Sequence, residues 1–200
     1  YALTFRYGQR STVEVNCAKK IAQNYGVVAH QQFNLDIGQF GGSSLIDHQM
    51  AIPTDYDATV IPTTYVPARN TIFLSIALGW AEVLGAHDIF IGAHQLDYSN
   101  YPDCRQEYFI QFEQLANLAT KAGVEGQPFR IHTPLLNMNK TQIIKKGMAL
   151  GVDYGLTCSC YNADEQGRAC GECDACQIRA QGFIQAGVDD PTEYQLEKIQ

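Results

Sequence analysis

The sequence predicts an α/β protein in which a mainly parallel sheet is flanked by helices. Three observations predict this class. Short apolar segments alternate with longer segments of helical periodicity, glycine or proline separates most of them, and 46% of the 200 residues are hydrophobic, which is enough for a substantial core. In such sheets, ligands bind at the carboxyl ends of the strands, where polar loops emerge. We therefore expect the functional residues to lie in the loops that follow strands.

The chain opens with a predicted strand and a helix. Residues 1–6, YALTFR, predict a short buried strand. Ser11 and Glu14 form a capping box, in which Glu14 reaches back to the backbone at Ser11, and the helix that follows continues to about Tyr25. Gly26 suits the end of this helix because glycine readily adopts the conformation that terminates helices.

A second strand, a long loop and an apolar helix come next. Residues 27–35 predict the strand, and the loop of residues 36–66 contains two adjacent glycines and no sustained periodicity. Long loops in compact domains are often functional. A strongly apolar helix over residues 69–84 is predicted to be buried on most sides, with Pro67 placed to start it and Gly85 to end it.

The second half of the chain continues the alternation of strands and helices. The remaining predicted elements are strands at 88–92 and 129–133 and helices at 105–121, 139–150 and 175–186. We expect residues 1–150 to form the α/β domain and residues 151–200 to form a C-terminal subregion that contains a cluster of cysteines.

Four cysteines near the end of the sequence form its most specific motif. Cys170, Cys173 and Cys176 follow one another at three-residue intervals, and Cys160 lies shortly before them. Thiolates in a C-x2-C-x2-C run can converge on one ion, and Gly171 permits the turn that this requires. Four sulfur ligands with no obvious vacant position suit tetrahedral Zn²⁺ in a structural site.

Other uses of these cysteines are less favoured. An iron–sulfur cluster is the serious alternative, because C-x2-C-x2-C also begins ferredoxin motifs, although their C-x3-C-P ending is absent here. A disulfide framework is disfavoured by the odd total of seven cysteines and by the lack of a visible secretory segment. We interpret Cys158 as an ordinary small residue rather than a fifth ligand.

The charge of the chain limits its partners. The formal net charge is −7 and the pI is about 5.1, which disfavours a general nucleic-acid surface because such surfaces are usually basic. A small-molecule substrate is easier to accommodate, and we expect no direct contact with nucleic acid. No apolar run approaches the roughly 18 residues of a membrane span, and no signal peptide is visible. We therefore expect a cytoplasmic protein.

Two polar loops place arginines beside groups that favour anions. The first, RYGQR, ends the first predicted strand, and Gly8 between Arg6 and Arg10 allows close approach to a ligand. The second loop places Arg69 and Asn70 at the start of the apolar helix, where backbone amides and the helix dipole already favour an anion. The alternative for each is a solvated surface segment.

A third polar loop runs from Gly92 to Arg105 and combines carboxylates, tyrosines and an arginine. Tyr101 can stack on a planar ring, and Asp97 or Asp103 can accept two parallel hydrogen bonds from the edge of a guanine-like amidine. Arg105 can bind a substrate carboxylate. The alternative here is a tyrosine-rich surface turn.

Together these segments resemble those of the 7-cyano-7-deazaguanine synthase (QueC) family, which belongs to the PP-loop ATPase superfamily. The segments are RYGQR, TYVPARNTIFLSIA, DYSNYPDCR, ANLATKAGVEG, RIHTPL and SCY followed by CGECDACQIR. The resemblance extends from Tyr1 to about Pro191. Long matches of this kind are far more specific than one short motif.

The resemblance implies a Rossmann-like, adenine nucleotide α-hydrolase-like fold and a carbon–nitrogen ligase. Family members convert 7-carboxy-7-deazaguanine, ammonia and ATP into 7-cyano-7-deazaguanine in queuosine biosynthesis, through an acyl-adenylate and an amide. Mg²⁺ accompanies ATP, members are typically homodimers, and a zinc ion is held by cysteines that match the four named above. We expect substrate contacts at Tyr7, Gly8, Arg10, Asp97, Tyr101, Asp103 and Arg105, and ATP contacts at Arg69, Asn70 and Gly92.

One departure from the family concerns the start of the sequence. The family begins with a strand and a pyrophosphate loop of the form S-G-G-x-D-S before the position of Tyr1. We therefore expect a truncated chain whose sheet lacks its central strand, exposes apolar surface and is inactive as it stands. Two other functions are kept as alternatives. A tRNA-modifying thiolase of the PP-loop superfamily is disfavoured by the acidic pI, and a zinc-dependent binding module is disfavoured by the strand-end loops.

Overall fold

A computed structural model describes residues 1–54, 60–95 and 101–195 of the chain, which divide into two compact units. The first unit consists of the described residues up to 54, Pro62–Val66 and those from Lys140 onward. The second consists of residues 60 and 61 and the described part of Pro67–Asn139. Each unit contains a two-stranded parallel sheet and several helices, so the α/β class is confirmed. The Rossmann-like arrangement and the division at residue 150 stay predictions.

Each predicted helix and strand is present, with ends that differ by a few residues from those expected. The strands are β1 (Ala2–Arg6), β2 (His30–Asn34), β3 (Asp88–Phe90) and β4 (Arg130–His132). The helices are α1 (Val13–Asn24), α2 (Arg69–Leu84), α3 (Gln106–Ala119), α4 (Lys121–Val124), α5 (Lys140–Ala149) and α6 (Asp174–Ala186), with short 3-10 turns at Ile37–Phe40, Pro102–Cys104 and Tyr154–Leu156.

The sheet of the first unit is a β–α–β arrangement made by β1, α1 and β2. The two strands are parallel, with Ala2 opposite His30 and Arg6 opposite Asn34. Phe5 and Phe33 lie opposite each other, and their ring centroids are 6.3 Å apart. Both strands therefore end at the same edge of the sheet, from which the RYGQR turn continues.

The predicted capping box of α1 is wrong. The helix begins one residue later than Ser11 would require, and its N-cap residue, Thr12, makes no capping hydrogen bond through its side chain. The hydroxyl of Ser11 has no hydrogen-bond partner among the described residues. The Glu14 carboxylate accepts a hydrogen bond from the side-chain amide of Gln9 at 2.9 Å, so this residue also serves the polar turn.

Helices α5 and α6 pack closely in the first unit. A Cβ atom at Gly182 would lie 2.6 Å from Lys140 Cγ and 2.9 Å from Ile144 Cδ1, so only glycine permits this approach. Ile144 and Phe183 are almost fully buried beside it. This packing fixes α6, the helix whose N-terminal end carries two of the four cysteines.

The second unit has its own apolar core. The core residues are Leu74, Ala81, Ile89, Phe109, Phe112, Ala116, Phe129 and Leu136. Asn117 joins α3 to the strand region, because its amide donates to the Phe129 carbonyl at 3.0 Å and accepts from the Phe129 N–H at 2.7 Å. Glu113 accepts from the N–H of Ile131 at 2.8 Å. These bonds satisfy backbone groups of β4 that a two-stranded sheet leaves unpaired.

Helix α2 spans the predicted residues, and Gly85 ends it in the left-handed conformation, as expected. Its predicted burial on most sides is wrong. Only Asn70, Leu74 and Ala81 of this helix are buried, because the core of the unit covers one face. Within the described residues, no helix combines the length and the apolar character needed to cross a membrane.

Candidate metal centre and polar strand-end site

Local structure brings the four cysteines of the first unit to one place. Cys173 is the N-cap residue of α6 and Cys176 lies in its first turn, so the two thiols share one end of the helix. Gly171 adopts a positive φ of 78°, which turns the chain between Cys170 and α6. Ala169, just before this turn, pairs with Tyr194 through a short parallel bridge, and this bridge holds the turn against the C-terminal segment.

The geometry of the four thiols suits one metal ion. All four cysteines are buried, and their sulfur atoms lie within 4.8 Å of one another. Four sulfurs at about 2.3 Å from a tetrahedral zinc ion would be separated by about 3.8 Å. The spacing leaves little room for a cluster of several iron atoms between them. The donor set of Cys160, Cys170, Cys173 and Cys176 therefore fits zinc and could hold one such ion.

Backbone amides are directed at sulfurs of this cluster. The N–H groups of Asn162 and Cys170 donate to the sulfur of Cys160 at 3.3 and 3.2 Å. The N–H groups of Glu172 and Cys173 donate to the sulfur of Cys170 at 3.5 and 3.4 Å. Hydrogen bonds to sulfur favour its charged form, which is the form that binds metal.

The thiols also interact with one another. Hydrogen bonds with Cys160 and Cys176 lower the pKa of Cys173, and the hydrogen bond with Cys173 raises the pKa of Cys160. Hydrogen bonds to Cys160 and Cys173 likewise raise the pKa of Cys176. Four thiolates in so small a volume need a cation to compensate their negative charge.

The RYGQR turn at the end of β1 is organised by Gln9, a residue that the sequence did not single out. The buried amide of Gln9 accepts from the N–H of Tyr7 at 2.7 Å and donates to the carbonyl of Phe5 at 3.3 Å. Tyr7 is buried. Gly8 has a φ of 86°, and a Cβ atom there would lie 3.2 Å from the Cα of Gly38. The turn therefore requires glycine at position 8.

Arg10 supports a neighbouring loop and keeps one donor available. One terminal nitrogen of its guanidinium donates to the carbonyl of Asp47 at 2.7 Å and also to that of Met50. Among the described residues, neither Arg10 Nε nor the hydroxyl of Ser11 has a hydrogen-bond partner, although both atoms are buried. Buried polar groups are normally paired, so both donors are unusual in lacking an acceptor within the described chain.

In the second unit, the structure brings Asn70 and Asp103 together. The backbone N–H of Asn70 donates to Asp103 Oδ2, and its side-chain amide donates to the Asp103 carbonyl, both at 3.0 Å. The same amide donates to the sulfur of Cys104 at 3.3 Å. Asn70, Asp103 and Cys104 are all buried. The Asp103 carboxylate thus caps the N-terminus of α2, and a ligand would have to use its other oxygen.

The remaining predicted contact residues have varied surroundings. Tyr101 is buried, and Arg105 is exposed and donates through Nε to the carbonyl of Pro102 at 3.2 Å. Arg69 is half-buried and Gly92 is exposed. Asp97 lies outside the residues that the structure describes. As ligand contacts, all of these stay predictions, and so do Tyr7, Gly8 and Arg10 in the first unit and Asn70 and Asp103 in the second.

The comparisons with known proteins agree on one family. The chain matches the family described as "Queuosine biosynthesis protein QueC" over residues 1–187. It is 59% identical over 195 residues to 7-cyano-7-deazaguanine synthase of Cupriavidus taiwanensis, covering 98% of this chain and 86% of the relative. The corresponding protein of Ralstonia pickettii is 59% identical (97% and 87% covered), and that of Pseudomonas aeruginosa strain LESB58 is 58% identical (97% and 86% covered).

Proposed function

The chain belongs to the QueC family of queuosine biosynthesis proteins, and from this premise we propose that it is a 7-cyano-7-deazaguanine synthase. The observation that carries the proposal is the 59% identity to a relative of that name across 98% of the chain. Similarity at this level supports a shared reaction rather than a shared fold alone. The two alternatives, a tRNA-modifying thiolase and a zinc-dependent binding module, have no comparable support.

The proposed reaction joins 7-carboxy-7-deazaguanine and ammonia in two activations. A carboxylate oxygen attacks the α-phosphorus of MgATP, giving an acyl-adenylate and pyrophosphate. Ammonia adds to the acyl carbon, AMP leaves with the activated oxygen, and an amide forms. The amide oxygen attacks the α-phosphorus of a second ATP and releases pyrophosphate, and loss of AMP together with both nitrogen-bound protons leaves the nitrile. No protein nucleophile is needed, because positioning and charge stabilisation supply the catalysis.

The RYGQR turn supports an anion-binding role in this reaction. Arg10 Nε and the Ser11 hydroxyl are buried donors without partners in the described chain, and a carboxylate can accept from both. Hydrogen bonds between charged groups are the stronger ones. We therefore assign Arg10 to the substrate carboxylate, with Tyr7 and Gly8 shaping the turn that presents it.

Residues of the second unit are proposed to bind the ring of the substrate and the nucleotide. Asp103 would accept from the amidine edge through the oxygen that does not bond to Asn70, with Asp97, Tyr101 and Arg105 as further substrate contacts. Arg69, Asn70 and Gly92 are the proposed ATP contacts. The start of α2 favours an anion because its first backbone N–H groups lack carbonyl partners within the helix.

The metal has a structural role in this proposal. A zinc ion held by four thiolates has no vacant coordination position for a substrate, so we assign it to folding of the cysteine region. We further propose that the protein is a cytoplasmic homodimer and uses small-molecule substrates without direct contact with nucleic acid.

The decisive experiment follows the product by mass spectrometry. Natural full-length protein is incubated with 7-carboxy-7-deazaguanine, ammonium and MgATP, and the nitrile, AMP and pyrophosphate are quantified. We expect two AMP released for each nitrile formed, and no nitrile when ammonium is omitted. ATP consumption that depends on tRNA rather than on the acid would overturn the proposal in favour of a thiolase. No ATP consumption by folded, zinc-loaded protein would favour a binding module.

A further inference from the structure

We propose that Arg179 is a positioning residue that holds Cys160 in place and thereby sets how tightly the four-cysteine centre binds its metal. This inference rests on the proposed zinc site. Cys160 is separated in sequence from the three cysteines of the C-x2-C-x2-C run, so something must hold its chain segment beside them. The segment of residues 157–160 belongs to no helix or strand, and no strand in the described part of the chain pairs with it.

Arg179 makes this connection through its two terminal nitrogens. Nη1 donates to the hydroxyl of Thr157 at 2.8 Å and approaches that of Ser159 at 3.5 Å. Nη2 donates to the carbonyl of Tyr154 at 3.2 Å. Arg179 lies on α6 three residues after Cys176, about one turn along the helix. One rigid helix therefore carries a metal ligand and the side chain that holds the Cys160 segment.

The other side of the guanidinium connects to a second segment of the site. Arg179 Nε donates to both carboxylate oxygens of Asp190, at 3.0 and 3.1 Å. Asp190 in turn accepts from the N–H and hydroxyl of Thr192 at 3.1 and 2.8 Å. The chain then reaches Glu193, whose carbonyl accepts from the N–H of Ala169 at 2.8 Å. Ala169 immediately precedes Cys170, so Arg179 bears on both segments that bring ligands to α6.

The surroundings of Arg179 make this arrangement specific for arginine. The residue is 6% exposed, and its guanidinium carbon lies 5.0 Å from the ring centroid of Phe183 and 6.0 Å from that of Tyr154. A planar group with five donors can satisfy Thr157, Tyr154 and Asp190 together. Lysine retains the charge but cannot reproduce this fork. A lysine variant therefore tests geometry separately from charge.

The test compares the zinc affinity of Arg179→Lys with that of the unaltered protein. Both proteins are loaded with zinc, and the metal is titrated away with a chromogenic chelator at a temperature where both are folded by circular dichroism. We expect the variant to bind zinc about 10- to 100-fold more weakly, the range typical when a partner that orients a metal ligand is lost. The absorption bands of cobalt-substituted protein should also change as Cys160 leaves tetrahedral coordination.

Arg168→Lys is the matched control. Arg168 also pairs with an aspartate in the cysteine region, through Nε to Asp164 at 2.7 Å, but it makes no hydrogen bond with residues 154–159 among those described. Its zinc affinity should stay close to that of the unaltered protein. An equal loss in both variants would overturn the proposal, because it would indicate general destabilisation of the cysteine region.

A second variant covers the case in which Arg179→Lys fails to fold. Thr157→Val removes the acceptor closest to Nη1 and preserves the side-chain shape, and it should also weaken zinc binding. Unchanged zinc affinity in whichever variants fold would overturn the positioning role. Unaltered protein that contains no stoichiometric zinc would instead overturn the proposed metal, so the two failures are distinguishable.

Discussion

The cysteine centre and the RYGQR turn are both polar parts of the first unit, but they satisfy their polar groups in different ways. In the cysteine centre, backbone N–H groups are directed at sulfur atoms. The four buried thiols need a bound cation to compensate their negative charge when they lose their protons. In the turn, the Gln9 amide bonds to the backbone of the same turn, and Arg10 bonds to carbonyls of a neighbouring loop. Groups of the protein itself therefore already bond to most of the polar groups of the RYGQR turn.

This difference shows which side-chain types give reliable information about a ligand. Four buried thiols within one small volume have little alternative use, since free thiols form only weak hydrogen bonds. Arginine, aspartate and glutamine have many possible partners in a folded chain, and they pair with backbone groups before any ligand is present. A ligand-binding role for the RYGQR turn therefore depends on the few donors there that lack a partner in the described chain. The predictions below test this contrast, beginning with the largest expected effect.

Replacing a metal ligand should have the largest effect. Cys173→Ser removes the thiolate at the N-cap position of α6, and we expect loss of bound zinc and unfolding of the cysteine region. Structural zinc ions contribute apparent binding energies of about 10–16 kcal/mol in small domains, and metal binding is coupled to folding. Elemental analysis after gel filtration and thermal unfolding followed by circular dichroism measure the two effects.

Cys158→Ser is the control for this experiment. Cys158 lies in the same segment as Cys160 but does not belong to the four-thiol cluster. It should keep stoichiometric zinc and a thermal transition close to that of the unaltered protein. Stoichiometric iron and labile sulfide in place of zinc would contradict the assignment of the centre. Loss of zinc from Cys158→Ser would contradict the ligand set.

Asp103→Asn tests whether a capped and buried carboxylate can also bind substrate. We expect a loss of about 1.5–3 kcal/mol in the free energy of unfolding, the usual range for a hydrogen bond to a charged group, because Asp103 caps α2 through Asn70 at 3.0 Å. We also expect weaker binding of 7-carboxy-7-deazaguanine with little change in ATP affinity. Urea denaturation and isothermal titration calorimetry measure these quantities.

The matched variant is Asp88→Asn, in the same unit. Asp88 is an exposed carboxylate that pairs with His132 at 2.6 Å, so its loss should leave both ligand affinities unchanged. A stability loss in Asp103→Asn without any change in substrate binding would limit Asp103 to its capping role. An equal loss of substrate and ATP affinity would also count against the assignment.

Gln9→Leu should destabilise the first unit by about 1–3 kcal/mol, because the N–H of Tyr7 would lose the side-chain oxygen of Gln9 as its acceptor. Gln39→Leu is the control, since Gln39 is exposed and bonds to the exposed Asp36. Its effect should fall within about 0.5 kcal/mol, as is usual for surface substitutions. Urea denaturation of the zinc-loaded proteins measures both, and equal midpoints for the two variants would contradict the role given to Gln9.

The cysteine ligands could be predicted because their signal is local. Three of them follow one another at three-residue intervals in the sequence, and the glycine after Cys170 marks the turn. The helix α2 could be predicted for the same reason, since its apolar residues and Gly85 lie within one continuous segment. Both features depend on residues that are close in sequence, so a local sequence pattern is enough to predict them.

The polar partners could not be predicted because they are distant in sequence. Asn70 and Asp103 are 33 residues apart, and no periodicity connects them. The capping box at Ser11 was wrongly predicted for a related reason. The side-chain amide of Gln9 donates to the Glu14 carboxylate, and the pattern S-x-x-E does not include Gln9. Arg179 belongs to the segment CGECDACQIR, but that segment does not predict its contacts with Thr157 and Asp190, which lie on either side of it in the sequence.

Cys104 gives the smallest and most specific test, because it is a buried thiol outside the metal centre. Burial raises its pKa from 9.0 to about 11, and the nearby Asp103 charge adds to the increase. The folded protein therefore holds this proton more tightly than the unfolded chain does. The resulting stabilisation is complete below pH 9 and is lost as the pH rises through about 11. Cys104→Ser keeps an acceptor for the Asn70 amide and removes the titrating group.

We expect the free energy of unfolding to fall more steeply between pH 9 and about 11 in the unaltered protein than in Cys104→Ser. Urea denaturation of both zinc-loaded proteins at several pH values measures this slope. The metal-bound thiolates are common to both proteins and cancel in the comparison. Parallel curves would mean that folding does not raise the pKa of the Cys104 thiol. The contrast between the buried, neutral thiol of Cys104 and the four thiols that can bind a cation would then not hold.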